Sequence, residues 1–315
     1  MKQFIMLLCS FCSIAAYAQD FEPIALDKTN FDEDALITWL KNNADRNHNE
    51  FIDEDEFNDG NERLSKIDLS EQGISSLKGI GLITPLKELN CTDNNLQEVD
   101  LSSNVNLGIL IINGNQLTSL DLSNNTLLER LVCSGNQLTS LDLSNNTMIN
   151  WLECDYNQLT SLDLSNNTMI EMLDCGSNHL TSLDLSQHTK LWHLICNNQS
   201  VDLGTVSAAG FTIDGLDMSR VSIVSGGTIA NGMFIPDNGS TEIKYIYDTK
   251  SAVAPSETST FDVTLTFECD YTSTTPTAVD TVNAEKSGKT IKTIENGRVV
   301  IIRDGKKYDL SGREL

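Results

Sequence analysis

The feature that most constrains this chain is a phrase that recurs every 21 residues. LTSLDLSNNT begins at Leu117, Leu138 and Leu159, and LTSLDLSQHT begins at Leu180. A second phrase alternates with it, as in LLERLVCSGNQ from Leu127. A unit of this length can bury its apolar side only against its neighbours, so the turns of the chain must stack.

Both phrases follow the pattern Leu-x-x-Leu-x-Leu-x-x-Asn, in which residues two apart, such as Leu131 and Cys133, point to one side of a strand. Looser copies extend the pattern back to Leu64 and forward to Leu203. We therefore predict a mainly β leucine-rich-repeat solenoid of 21-residue turns with short parallel strands over residues 63–203. Because both halves of each turn carry the pattern, we expect parallel strands on both faces of a flattened coil and few helices.

Two further columns of residues follow the same spacing. Asparagines recur at Asn94, Asn115, Asn136, Asn157 and Asn178, with Gln199 in the last turn, and a buried amide can satisfy the backbone of a tight turn. Cysteines recur at Cys91, Cys133, Cys154, Cys175 and Cys196, with Ile112 in the gap. Side chains in register point the same way, which fits disulfide geometry poorly. We expect buried thiols, with disulfides and a metal ladder as alternatives.

The outward positions divide into a constant half and a variable half. Ser-Asp-Ser recurs in the constant half, and its aspartates (Asp100, Asp121, Asp142, Asp163, Asp184) are either solvated or a ladder of cation sites. Tryptophan, tyrosine and methionine on an exposed sheet are typical interface anchors. The predicted ligand contacts in the variable half are Arg130, Trp151, Glu153, Tyr156, Met172, Asp174 and His193. The alternative is that these side chains only cover the sheet or pack under a neighbouring domain.

Residues 19–62 are predicted to form a helical, EF-hand-like N-terminal cap. Residues 45–56 fit the spacing of an EF-hand loop, with Ca²⁺ ligands at Asp45, Asn47, Asn49, Phe51 (its carbonyl), Asp53 and Glu56. The pattern departs at Glu50, where a glycine normally adopts positive φ. The alternative is a degenerate loop that only covers the end of the solenoid.

The two ends of the chain carry further signals. Residues 1–18 are a predicted signal peptide cleaved after Ala18, and no later segment is apolar enough to span a bilayer. We expect a small antiparallel β module over residues 204–271, a polar linker over 272–290, and two or three strands in the tail, residues 291–315. The net charge of −24 makes nucleic acid an improbable partner.

The repeats, the segment FDEDALITWLKNNADRNHNEFIDEDEF and the bridging ISSLKGI together resemble secreted leucine-rich-repeat proteins of the Bacteroidetes, which join an EF-hand-like cap to 21-residue repeats with a strand cysteine. The end of the chain, IIRDGKKYDLSGREL, is similar to the C-terminal sorting tails of the type IX secretion system. The resemblance implies export to the outer-membrane surface and a role in interaction.

The functional prediction is a secreted or cell-surface protein that binds protein or glycan through its variable face and mediates adhesion. The four histidines lie in no nucleophile or zinc pattern, so we expect no enzyme activity. The alternative is a structural surface-layer component without a foreign ligand. The sequence does not determine the oligomeric state.

Overall fold

The structure is a computed structural model. It describes residues 21–58, 62–251, 260–270, 277–279, 290–295, 298–303 and 306–308. The predicted signal peptide and the tail from residue 309 onward lie outside these residues.

The N-terminal cap contains two short strands and two helices: β1 (Ile24–Ala25), α1 (Asp34–Asn43), β2 (Phe51–Ile52) and α2 (Glu54–Phe57). The strands β1 and β2 pair antiparallel. Helix α1 buries Leu36, Ile37 and Leu40, because these residues recur at helical spacing on one face.

The cap is fixed to the first turn of the solenoid. The Glu33 carboxylate accepts hydrogen bonds from the backbone N–H groups of Ser75 (2.8 Å) and Ser76 (3.0 Å). Gly79 has φ +92° and lies against Phe31, where an added Cβ would come within 2.5 Å of the ring. Only glycine fits this contact, which covers the open end of the hydrophobic core.

The solenoid forms one seven-stranded parallel sheet, with its strands in chain order. The strands are β3 (Lys66–Asp68), β4 (Glu88–Asn90), β5 (Ile109–Ile111), β6 (Arg130–Val132), β7 (Trp151–Glu153), β8 (Met172–Asp174) and β9 (His193–Ile195). From β4 onward, each residue pairs with the one 21 positions later, as Leu110 with Leu131 and Leu131 with Leu152. The prediction of a leucine-rich-repeat solenoid with short parallel strands is confirmed.

The prediction of strands on both faces is wrong. The constant half, for example residues 117–125, contains no strand. In each of these turns an aspartate interrupts the extended chain, since Asp121 Oδ1 accepts the backbone N–H of Ser123 at 2.9 Å. Carbonyl groups of this half are bonded by asparagine side chains of the following turn instead of by a neighbouring backbone. Asn125, for example, donates to the carbonyls of Leu101 and Asn104 at 3.1 and 3.0 Å.

The predicted asparagine column forms as expected. Asn136 donates to the carbonyls of Ile112 and Cys133, both at 3.0 Å, and accepts the N–H of Leu117 at 3.0 Å. Gln199 takes this role in the last turn and accepts the N–H of Leu180 at 3.0 Å. Each side chain therefore ties two successive turns together.

A second buried column, which the sequence analysis did not single out, consists of Asn104, Asn125, Asn146 and Asn167. In the last turn His188 stands in this column, and it is also buried. Neither ring nitrogen of His188 is in hydrogen-bonding geometry with a partner in the described residues. Burial lowers the pKa of His188, and nearby carbonyl groups such as that of Leu164 offset this only in part.

The five cysteines of the repeats lie in the core as a ladder of thiols, with Ile112 filling the gap. None of them forms a disulfide in the described part of the chain. Burial raises the pKa of the Cys133 thiol to about 12. These cysteines therefore act as small apolar core residues and not as nucleophiles.

Two sheets follow the solenoid. The first has the strand order β10 (Gln199–Ser207), β16 (Asp262–Asp270), β15 (Glu242–Tyr247) and β12 (Val221–Ser225). The second has the order β13 (Gly227–Ala230), β14 (Met233–Pro236), β11 (Phe211–Ile213), β17 (Thr277–Val279), β18 (Thr290–Glu295), β19 (Arg298–Arg303) and β20 (Lys306–Tyr308). The sheets pack through aromatic rings, with the ring centroid of Phe211 5.5 Å from that of Phe267.

This part of the chain differs from the prediction in three respects. The sheets are mixed and not purely antiparallel, because β10 pairs with β16, and β11 with β17, in parallel. Strand β10 begins at Gln199, before the predicted boundary at residue 204. The predicted linker contains β17, which connects the module to the tail strands. Pairing between distant segments is decided by tertiary packing, which local composition does not encode.

The β module closes the second end of the solenoid. The Tyr245 hydroxyl donates to the carbonyl of Thr181 at 2.8 Å, and the N–H of Leu185 donates to the carbonyl of Thr249 at 2.8 Å. The Arg220 guanidinium lies 3.2 Å from Asp184, the last aspartate of the constant half. One continuous core therefore extends from the cap through the repeats into the module.

Candidate functional site

The predicted contact residues lie on one surface, which we call the strand face. It consists of the outward residues of β4–β9 together with the residue before each strand and the exposed residues up to three positions after it. The central residue of each strand points into the core, and its two neighbours point outward. Because the strands are in register, the outward residues form columns about 4.8 Å apart.

Arg130, Trp151 and Glu153 form a preorganised cluster in the middle of the strand face. The Arg130 guanidinium lies over the Trp151 ring, 4.4 Å from its centroid. The Trp151 indole N–H donates to the Glu153 carboxylate, which lies 3.8 Å from Arg130. Trp151 is consequently only partly exposed, and its ring is held by both neighbours.

Met172 does not lie where the sequence analysis expected it. It was predicted to be an exposed anchor, but it is buried, with 8% of its surface accessible. Its register neighbours are Trp151 on one side and His193 on the other. The large side chains of Trp151 and His193 lie close to Met172 on adjacent strands, and together they cover its flexible thioether.

Tyr156 is the most exposed aromatic residue predicted for the site, with 67% of its surface accessible. It occupies a turn position with φ +51°, where the two preceding turns have Gly114 and Gly135 and the next has Ser177. A bulky side chain in this conformation is strained by about 1–3 kcal/mol. The repeat therefore keeps a large aromatic residue where a small one would be more stable.

The sequence analysis missed Trp192, which is 62% exposed. Its ring lies 5.5 Å from that of His193 on β9. The equivalent positions of the two preceding turns are Asn150 and Glu171, so alignment of the repeats one residue before each strand could have identified it. Tyr156 and Trp192 are the most exposed large apolar side chains of the described residues.

The strand face is acidic around β7 and β8. Glu153, Asp155 and Asp174 lie close together, and the chain contains no lysine or arginine between Arg130 and Lys190. Burial raises the pKa of Asp174 to about 6, the N–H of Gly176 at 3.1 Å opposes this rise, and the charges of Asp155 and Glu153 add to it. Asp174 thus carries a carboxylate that its own surroundings disfavour.

The aspartates of the constant half behave differently. Each accepts the backbone N–H of the serine two residues later, and this hydrogen bond lowers the pKa of Asp142, Asp163 and Asp184. These carboxylates are stabilised by their own turns. The constant half is therefore explained as scaffold.

The predicted calcium ligands converge in the cap loop. Asp45 and Glu56 are buried, each with 4% of its surface accessible. The side-chain amides of Asn47 and Asn49 donate to the same Asp53 oxygen at 2.8 and 2.9 Å. No group of three or more His, Cys, Asp or Glu side chains is arranged to hold a metal ion in the described residues, and half of the predicted ligands are amide or carbonyl oxygens.

The loop backbone adopts the turn that the spacing requires despite the missing glycine. Glu50 has φ +68°, and its N–H donates to Asp45 at 3.0 Å. The Glu50 carboxylate pairs with Lys41 of α1 at 2.9 Å. The Glu56 carboxylate accepts the N–H groups of Arg46 (2.6 Å) and Asp53 (3.1 Å). All six predicted ligands are oxygen donors, which is the donor type that Ca²⁺ prefers.

No helix among the described residues has the length and apolar character needed to cross a membrane. No protein-family model matches the chain, and neither does any curated protein.

Several solved structures of leucine-rich-repeat proteins are similar to the chain at low identity. The functional domain of InlJ from Listeria monocytogenes, described as including a cysteine ladder, is 20% identical over 65% of this chain and 69% of that one, with a TM-score of 0.31. Internalin C2 of the same species is 18% identical over 59% and 90%, with a TM-score of 0.43. A Leptospira interrogans leucine-rich-repeat protein is 22% identical over 45% of this chain and 39% of its own length, with a TM-score of 0.42.

Proposed function

We propose that this chain is a non-catalytic binding protein that engages a protein partner through the strand face. The observation that carries the proposal is Tyr156, an exposed aromatic residue held in a left-handed turn where neighbouring repeats have glycine or serine. Strain of this kind persists where the side chain is used. Trp192 and the Arg130–Trp151–Glu153 cluster add aromatic and charged anchors to the same surface.

The test replaces the anchors with residues that the repeat itself uses at equivalent positions. Tyr156→Ser copies Ser177, and Trp192→Glu copies Glu171, so both changes suit the fold. Wild type and the double variant are probed on arrays of extracellular proteins and glycans. We expect binding by the wild type and loss of about tenfold or more in affinity for the double variant.

A matched control removes exposed apolar surface elsewhere. Leu127 and Met148 are 45% and 43% exposed at the edge of the coil, away from the outward strand positions. The double variant Leu127→Asn, Met148→Asn copies Asn106 of an earlier turn and should bind like the wild type. Equal binding by the wild type and the Tyr156/Trp192 variant would reject the strand face as the binding surface. Binding of glycans alone would favour a glycan ligand over a protein partner. Concentration-dependent self-assembly with no partner would favour a structural surface-layer component.

We further propose that the protein is exported and acts at a bacterial cell surface. Support comes from the signal-peptide pattern of residues 1–18 and from the resemblance of the last residues to type IX sorting tails. Expression of the full chain in a Bacteroidetes host, followed by surface labelling of intact cells, tests this. Deletion of residues 291–315 should abolish labelling, and unchanged labelling would contradict the proposal.

We also propose that Ca²⁺ stabilises the cap. Three carboxylates, two amides and the Phe51 carbonyl would hold the ion, which would neutralise the buried charges of Asp45 and Glu56. Calorimetry should show Ca²⁺ binding to the wild type and none to Glu56→Gln, while Glu54→Gln, an exposed change on the same helix, leaves binding unchanged. Absence of heat with the wild type would reject the site.

A further inference from the structure

The strand face carries a local charge imbalance that the scaffold does not require. Glu153 and Asp174 are paired in register on β7 and β8, and Asp155 follows β7 directly. Like charges at paired positions of a sheet destabilise it. The three carboxylates nonetheless lie together on the half of the turn that varies.

Among the described residues, Arg130 forms an ion pair with Glu153 of this group and leaves the two aspartates without one. Arg130 is positioned over the Trp151 ring and lies 3.8 Å from Glu153, and it is the nearest arginine in the repeats. Neither Asp155 nor Asp174 forms an ion pair with a lysine or arginine of the described chain. Asp174 accepts the N–H of Gly176 and Asp155 accepts the hydroxyl of Ser134, so neither lacks a hydrogen bond. The aspartates of the constant half accept similar bonds but are exposed, whereas Asp174 is partly buried.

An exposed aromatic residue, Tyr156, lies next to these aspartates in the chain fold. Tyr156 follows Asp155, and its backbone N–H donates to the carbonyl of Gly176, two residues beyond Asp174, at 3.1 Å. The Tyr156 side chain is exposed, and an aromatic ring in water can contact the alkyl stem or the charge of a cation. Carboxylates and an aromatic face together are complementary to lysine and arginine side chains and not to a neutral surface.

Resting on the proposed function, we infer that the partner of the strand face is a basic polypeptide segment. A lysine or arginine side chain of that segment inserts between Asp155, Asp174 and the Tyr156 ring. A bound cation would offset the negative charge that the paired carboxylates of β7 and β8 bring together. The negative charge of the whole chain, −24, steers such a segment towards the surface.

The test uses fluorescein-labelled peptides of one Gly/Ser framework that carry lysine, arginine, glutamine or glutamate at the same alternate positions. Fluorescence anisotropy measures their binding to the protein with residues 1–18 removed. We expect the lysine and arginine peptides to bind, the glutamine and glutamate peptides not to bind, and the affinity to fall as salt is raised.

Two variants with equal charge change separate a site from general attraction. Asp155→Asn with Asp174→Asn should weaken peptide binding about tenfold. Asp142→Asn with Asp163→Asn removes two charges from the constant half, where asparagine can keep the turn, and should change affinity less than about twofold. Circular dichroism of each variant checks that the solenoid is intact.

Each result has a distinct meaning. Equal weakening by both double variants, or equal binding of the glutamine and lysine peptides, would overturn the inference. If array binding depends on Tyr156 and Trp192 but not on Asp155 and Asp174, the proposed function stands and the basic partner is wrong. If neither pair of residues affects binding, the proposed function itself fails.

Discussion

Asp174→Asn is predicted to make the protein more stable while it weakens binding. A pKa of about 6 in the folded state, against an ordinary 3.8, corresponds to at most about 3 kcal/mol of unfavourable free energy for the ionised form. Asp174 is partly in contact with water, so screening reduces this to about 1 kcal/mol. Asparagine removes the charge and can still accept the N–H of Gly176.

The effect has a defined pH dependence. Because the folded pKa lies above the unfolded one, the folded state holds the proton more tightly between pH 3.8 and about 6. The destabilisation by the ionised carboxylate is therefore complete above about pH 6 and disappears as the pH falls towards 3.8. Urea denaturation of wild type and variant at several pH values should show a difference of about 1 kcal/mol at neutral pH that vanishes near pH 4.

Asp142→Asn is the matched control. Asp142 is exposed, and the backbone N–H and hydroxyl of Ser144 lower the pKa of Asp142, so its ionised form is favoured in the folded state. The same substitution there should give no stabilisation at neutral pH. A destabilised Asp174→Asn protein at neutral pH, or a gain that does not change with pH, would show that the surroundings of Asp174 do not disfavour its charge.

Three further predictions concern the core. Asn146→Ala removes two buried hydrogen bonds and should lower the free energy of unfolding by about 3 kcal/mol, whereas Asn145→Ala at the adjacent exposed position should lower it by under about 0.5 kcal/mol. Similar losses for the two variants in denaturant melts would contradict a structural role for the second asparagine column. The ladder thiols should react with Ellman's reagent only in denaturant, because they are buried and their pKa values are raised; rapid reaction of Cys154 in the folded protein, judged against Cys154→Ala, would refute this. Burial lowers the pKa of His188 below the ordinary 6.5, so the wild type should lose stability as the pH falls through that value. His188→Asn, which restores the asparagine of the second column, should raise the melting temperature and remove this loss, and parallel pH profiles of the two proteins would refute the prediction.

The sequence alone determined the solenoid, because five near-identical turns leave only one way to bury every leucine and asparagine column. The same spacing placed Asn136 and Cys133 in the core and Trp151 and Glu153 on the strand face. The EF-hand spacing of the cap loop indicated separately that Glu50 would need positive φ. The conclusions about the solenoid depend only on the period of the pattern, because each turn of the coil repeats the turn before it.

Other features depend on contacts that no period encodes. The buried state of Met172 follows from the size of its neighbours. The pairing of β10 with β16 joins segments about sixty residues apart, and the closure of the coil by Tyr245 depends on that pairing. The elevated pKa of Asp174 arises from burial and from charges brought together by the register of β7 and β8. The repeat therefore determined which residues share a face, whereas packing and desolvation, which act only in the folded state, decided which of them are exposed and how their pKa values shift.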